Sequence, residues 1–192
     1  SDLIVMDLAA DAKGKSRRVV IQLIPTPFSQ GWVGNIRKLV AARWYDGVSV
    51  NRVQDNYVVQ WGDANGEDAG QAKALPGGLA VVPESDYTAK FSPDMFADRW
   101  DQRGKRAAYQ PDVPFTGNPT AQGAQFDDPY AVAISYSAGF PLAMEMALNE
   151  ELRWPEYNSG SYAPSNVWPV HCYGMVGVGR NLSPYTGTGA EL

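Results

Sequence analysis

A mainly β fold with a flanking helix is what this sequence predicts, and three observations carry the prediction. Short runs rich in β-branched residues recur near the start, at Leu3–Leu8 (LIVMDL) and Arg17–Ile24 (RRVVIQLI). Fourteen prolines and nineteen glycines punctuate 192 residues, which favours loops and short strands over long helices. Only two stretches, Phe28–Arg43 and Pro141–Trp154, carry helical spacing.

Taken in order, the polar, Gly-containing segment Ala10–Ser16 joins the first two runs as a hairpin, and Pro25 and Pro27 stop the second. In Phe28–Arg43 the apolar residues Trp32, Ile36, Leu39, Val40 and Trp44 recur at three and four. Ser29 is the expected N-cap, and Arg37, Lys38 and Arg43 fall in the second half, where cations suit the helix dipole. Asn35 lies mid-helix, where propensity alone does not favour it.

Trp44–Asp63 (WYDGVSVNRVQDNYVVQWGD) then reads as a turn and an antiparallel hairpin. Tyr45-Asp46-Gly47 is turn chemistry, and Asp55-Asn56 is a second turn. Alternation puts Val48, Val50 and Arg52 on one side of the first arm and Ser49, Asn51 and Val53 on the other. Arg52 and Gln60 lie near the hairpin's two arms.

From Ala64 to Pro169, turn residues recur every few positions, with brief apolar patches at Leu79–Val82 and Ala131–Ser135. Within this stretch, Met144, Leu148 and Leu152 are spaced by four, and Pro141 and Pro155 bracket an expected amphipathic helix. Trp154–Tyr162 reads as an aromatic loop. Gly174–Gly179 (GMVGVG) lacks the helix and acidic partner of a dinucleotide fingerprint, and Tyr173–Val178 reads as a strand.

Composition excludes several function classes. A net charge of −5 and a pI near 4.8 argue against nucleic-acid binding. The basic cluster Arg99, Arg103, Lys105 and Arg106 is interleaved with acids and reads as a solvated face. One cysteine, Cys172, and one histidine, His171, exclude an intrachain disulfide and a CxxC site, and a zinc site would need Asp and Glu for nearly all its ligands, so no metal is expected; no cofactor is expected either. No apolar run approaches a membrane span.

The ordered set Asn35-Ile36, Tyr45-Asp46-Gly47, Asn51-Arg52-Val53 and Tyr57-Val58-Val59-Gln60-Trp61-Gly62-Asp63 resembles the signature of the cyclophilins, the barrel family of peptidyl-prolyl cis-trans isomerases. A second block, Gly174–Arg180 and Gly189-Ala190-Glu191-Leu192, is similar to a later signature of the same family. The resemblance implies one cyclophilin-like β-barrel domain over 1–192. Its barrel portions would be about 1–63 and 170–192, with a long loop-rich insertion at about 64–169. It also implies a barrel cut short at Leu192, to be completed by a missing C-terminal segment or a second chain, because a barrel stopped there leaves strand edges unpaired.

Prolyl isomerisation needs neither a nucleophile nor a proton transfer. The X–Pro bond is held by resonance, with a barrier of about 18–20 kcal/mol. A guanidinium at the prolyl nitrogen can hydrogen-bond the lone pair that appears only when resonance is broken. The resemblance assigns that role to Arg52 and a bracing role to Gln60. Tyr57 and Val58 would floor the proline pocket, and Gly179, Arg180 and Glu191 would meet the substrate backbone. His171, Cys172 and Trp61 are read as structural.

Glu191 stands where the family has a neutral Gln, and it is expected either to bring charge to the groove or to ion-pair with Arg52. The partners implied are proline-containing segments of client proteins, and the wording of the signature is similar to bacterial members exported to the periplasm. The alternative is a catalytically weak cyclophilin-like binding or assembly module, favoured by Glu191, Asn51 and the long middle stretch.

Overall fold

The computed structural model describes residues 2–92, 131, 133–148, 162–180, 182 and 186–192. They fall into two compact units, Ser1–Asp86 with Tyr173–Leu192, and Tyr87–Cys172.

The first unit opens with the expected hairpin. Strand β1 (Leu3–Leu8) pairs antiparallel with β2 (Arg17–Gln22), in a register that sets Asp7 opposite Arg18. The joining loop folds on Asp11, whose Oδ1 accepts the backbone N–H groups of Lys13 and Lys15. Helix α1 (Gln30–Ala41) follows and buries Trp32, Val33, Asn35 and Leu39. With Leu23, Phe28, Trp44 and Val82, its apolar residues form the core of this unit.

Two sequence expectations about α1 are resolved by tertiary contacts. Ser29 stands at the N-cap but is left-handed and makes no side-chain cap bond. Asp86 does the capping instead: its carboxylate accepts the Gly31 N–H at 2.8 Å, and its carbonyl accepts the Ser29 N–H at 2.8 Å. A carboxylate brought in from 55 positions away thus satisfies donors that a local cap would otherwise take. Asn35, fully buried, uses its amide as a backbone mimic, donating to the Ala80 carbonyl and accepting the Ala80 N–H, both at 2.8 Å. Poor helix propensity is offset by pairing backbone groups that burial would leave unsatisfied.

Strands β3 (Ser49–Gln54) and β4 (Val58–Gly62) form the second hairpin. Asn56 at its turn has φ +53°, a conformation Asn tolerates better than most residues. A bulge lies between Val50 and Arg52, with Val50 opposite Trp61 and Arg52 opposite Gln60. This corrects the expectation that Val50 and Arg52 share a face. The extra residue, Asn51, shifts the alternation by one, so the two side chains leave opposite faces.

The second unit holds a four-stranded antiparallel sheet in the order β5 (Ala89–Lys90), β8 (Tyr162–Pro169), β7 (Phe140–Leu148), β6 (Ala133–Ser137). The stretch 64–169 is therefore not simply loop. The helix expected from Pro141 is strand as far as Leu148, and residues 149–154 lie outside the described residues, as do Arg99–Arg106 and most of the aromatic loop.

The physical reason is that a spacing of four, as in Met144 and Leu148, is a multiple of both the helical turn and the strand repeat. The sheet decides between them, since β7 has a partner on each side and consecutive Leu142, Ala143 and Met144 are all buried. β6 turns into β7 through Ala138 and Gly139, both with positive φ, the two-residue hairpin geometry. Pro164 sits opposite Met146, at the register shift in the β7–β8 ladder, where a missing N–H is tolerated.

No closed barrel forms among the described residues. The first unit holds two separate two-stranded sheets, β1–β2 and β3–β4. Closure needs non-local pairing between hairpin edges, and each hairpin's register is local. Tyr173–Val178, expected as a strand, joins no ladder: Tyr173 and Gly174 form a turn, and Gly174 has φ +84°.

Candidate functional site

The expected site residues gather around the β3–β4 hairpin. The register sets Arg52 opposite Gln60 and Gln54 opposite Val58, so all four side chains share one face. The Arg52 guanidinium donates to Gln54 Oε1 at 2.7 Å rather than to Gln60, and lies 5.6 Å from the centroid of the Tyr57 ring. Tyr57 is 73% exposed at the turn, and Arg52 is exposed along with all of β3. A planar cation steered by an amide on one side and a π face on the other loses less rotamer freedom when it meets a ligand.

The C-terminal segment extends this sheet. Trp61 and Leu192 exchange both backbone bonds, at 2.8 and 3.0 Å, which defines an antiparallel pair and sets Glu191 opposite Gly62. Gly62, Gln60 and Val58 alternate onto one face, so Glu191 joins the face of Arg52 and Gln60. The glycines make room for it. A Cβ on Gly62 would stand 3.0 Å from Glu191 Cγ, and one on Gly179 would stand 3.2 Å from Glu191 Oε2. On its far side, the Glu191 carbonyl accepts the Gly179 N–H at 2.8 Å. Gly179, Glu191 and β4 thus lie side by side.

Helix α1 and the turn after it hold this segment in place. Trp32 Nε1 donates to the Gly187 carbonyl at 3.1 Å, and the Tyr45 hydroxyl donates to the Gly189 carbonyl. Gly189, at φ +90°, lies so close to Ile36 Cγ1 that a Cβ would stand 3.2 Å from it. Val82 bridges Gly187 across an isolated antiparallel pair. Burial raises the Tyr45 pKa above its ordinary value, which keeps the hydroxyl protonated as a donor.

The remaining expected residues are placed as follows. Arg180 is next to Gly179 in the chain and ion-pairs with Glu84 at 3.5 Å. The Arg52–Glu191 ion pair weighed from the sequence is not made, because Arg52 turns to Gln54. His171 lies edge-on to Tyr87, with centroids 5.6 Å apart, and Cys172 is an exposed free thiol.

Sequence reasoning missed Gln54, although its position two residues along the strand from Arg52 was signal enough. It also missed Trp32 and Tyr45 as the clamps on 187–189, a role that shows only when distant segments meet. Among the described residues no group of three or more His, Cys, Asp or Glu is arranged to hold a metal ion. Nor, among them, is any helix long and apolar enough to cross a membrane.

A family model described as cyclophilin type peptidyl-prolyl cis-trans isomerase/CLD matches residues 11–186. Searches of curated proteins and of solved structures find no significant match.

Proposed function

This chain belongs to the cyclophilin-type peptidyl-prolyl cis-trans isomerases, enzymes that act on proline-containing client peptides, and from that premise we propose that Arg52 is its catalytic residue. In this reading an X–Pro segment lies along the face shared by Arg52, Gln60 and Val58, with its proline ring against Tyr57 and Val58. As the peptide bond twists, the prolyl nitrogen becomes pyramidal and gains a lone pair, and the guanidinium donates to it. The planar ground state offers no such acceptor, so the bond is made only in the transition state. Arg fits this role because it stays charged and its donors form a rigid fork. Gln60 braces the substrate backbone, and Gly179, Arg180 and Glu191 border the same peptide.

The observation that carries the reading is the cross-strand pairing of Arg52 with Gln60 on a face that also carries Val58. The test is an isomerisation assay on a short neutral proline peptide. Arg52→Ala is expected to lower kcat/KM by about 10²–10³-fold, the cost of removing one pre-set donor.

A second reading, a scaffold that binds clients with little catalysis, is favoured by the hydrogen bond that engages Arg52 with Gln54. Equal rates for wild type and Arg52→Ala, both near the uncatalysed value, would establish it. Export to the periplasm rests on the wording of the signature, and fractionation of the native protein tests it.

A further inference from the structure

We propose that Glu191 makes this groove select clients carrying a lysine or arginine about two residues from the proline. The inference rests on the placement of the groove given above and adds a substrate class to it.

Three observations carry it. First, the Glu191 carboxylate is exposed and, among the described residues, has no hydrogen bond and no ion pair, whereas Arg180 beside Gly179 is paired with Glu84 and Arg52 is bonded to Gln54. Among the described residues, the acid is thus an anion of this face left for a cationic side chain of a ligand to answer. Second, its position is built. Gly62 on one flank and Gly179 on the other leave room that a methyl group would fill, and the Glu191 backbone is fixed by its bond to Gly179 and the neighbouring Trp61–Leu192 pair. With its backbone fixed, only the Glu191 side-chain torsions remain to be ordered when a cation reaches the carboxylate.

Third, the register gives a spacing. Glu191 is opposite Gly62, two positions along β4 from Gln60, which is opposite Arg52. Two strand positions span roughly 7 Å along the sheet, an extended peptide advances roughly 3.3 Å per residue, and Glu191 lies one strand spacing, roughly 4.8 Å, to the side of β4, a gap that a lysine or arginine side chain covers. With the peptide along β4 and its proline level with Arg52 and Gln60, the cationic side chain that reaches across to Glu191 therefore belongs to a residue about two away.

The test uses peptides of one proline sequence in which Lys, Ala or Glu is placed at each of the three positions on either side of the proline. The readout is the ratio of kcat/KM for the Lys peptide to that for the Glu peptide, taken within each protein variant. Wild type is expected to prefer Lys by about fivefold at one position near the second and to be indifferent elsewhere, the size of an exposed ion pair. In Glu191→Gln that ratio is expected to fall to about one, whatever the variant's absolute rate. Should Glu191→Gln lack measurable turnover, the wild-type ratio is followed from about 10 mM to about 1 M salt. The Debye length falls from roughly 30 Å to roughly 3 Å over that range, and the preference is expected to fade with it.

A wild-type ratio near one at every position, a ratio unchanged in Glu191→Gln, or a preference indifferent to salt would each overturn the proposal. None of these outcomes touches the neutral-peptide comparison of wild type with Arg52→Ala, so failure of charge selection is distinguishable from failure of the groove itself.

Discussion

The hairpins β3–β4 and β6–β7 are built alike and serve opposite ends. Each is antiparallel, and each reverses direction through a short turn with a left-handed residue, Asn56 in one and Ala138 with Gly139 in the other. β3 is exposed along its whole length and shows the solvent Arg52 and Gln54. β7 instead lies between two partners and buries Leu142, Ala143 and Met144 in succession. The difference is one of neighbours. A strand with a solvent face is free to carry chemistry and contributes little to the core; a strand covered on both faces stabilises its sheet and has no face to spare.

The contrast can be tested by substitutions matched across the two hairpins. Leu142→Ala carries the largest expected cost in stability, about 3 kcal/mol, because a fully buried side chain is removed from a packed strand. Urea unfolding monitored by circular dichroism measures it, and a cost under about 1 kcal/mol would mean that β7 is less enclosed than described. Gly139→Ala follows at about 1 kcal/mol, since φ +84° at the turn burdens any residue with a Cβ. Arg52→Ala, despite its expected loss of activity, is predicted to change stability by no more than about 0.5 kcal/mol, as surface changes do. A larger loss of stability would make Arg52 a structural residue and remove the contrast.

Tyr45 supplies a pH test in the clamp behind the site. Its folded pKa lies above the ordinary value of 10.0 because burial disfavours the phenolate. The unfolded chain therefore gives up this proton first, and the contribution to stability, complete below about pH 10, is lost as pH rises beyond it. Tyr45→Phe is expected to remove that alkaline component from a plot of melting temperature against pH. An unchanged slope above pH 10 would assign the component elsewhere.

Much of the first unit was legible in advance, and the reasons are local. β1–β2, α1 and β3–β4 each satisfy their backbone within a short stretch, so alternation, three-four spacing and turn residues mark them directly. β6–β7 was not legible in the same way. A strand buried on both sides loses its period of two, and four-residue spacing mimicked a helix. The Ala138-Gly139 turn was the signal that could have corrected the reading. The barrel expected from the family resemblance is also not what the described residues form, since its closure depends on pairings that no single stretch encodes.

By itself, the sequence determined the mainly β character, the family, and the presence of an arginine and a glutamine on the two arms of one hairpin. Alternation and motif order are properties of neighbours in the chain, which is why they can be read without a structure. Tertiary structure decided the rest. The bulge at Asn51 turned Arg52 onto the face of Gln60, Asp86 capped α1 in place of Ser29, and Asn35 found its partner at Ala80. It also brought Glu191 between two glycines more than a hundred positions apart. Those outcomes depend on which distant backbone groups meet, and chain neighbours carry no record of that.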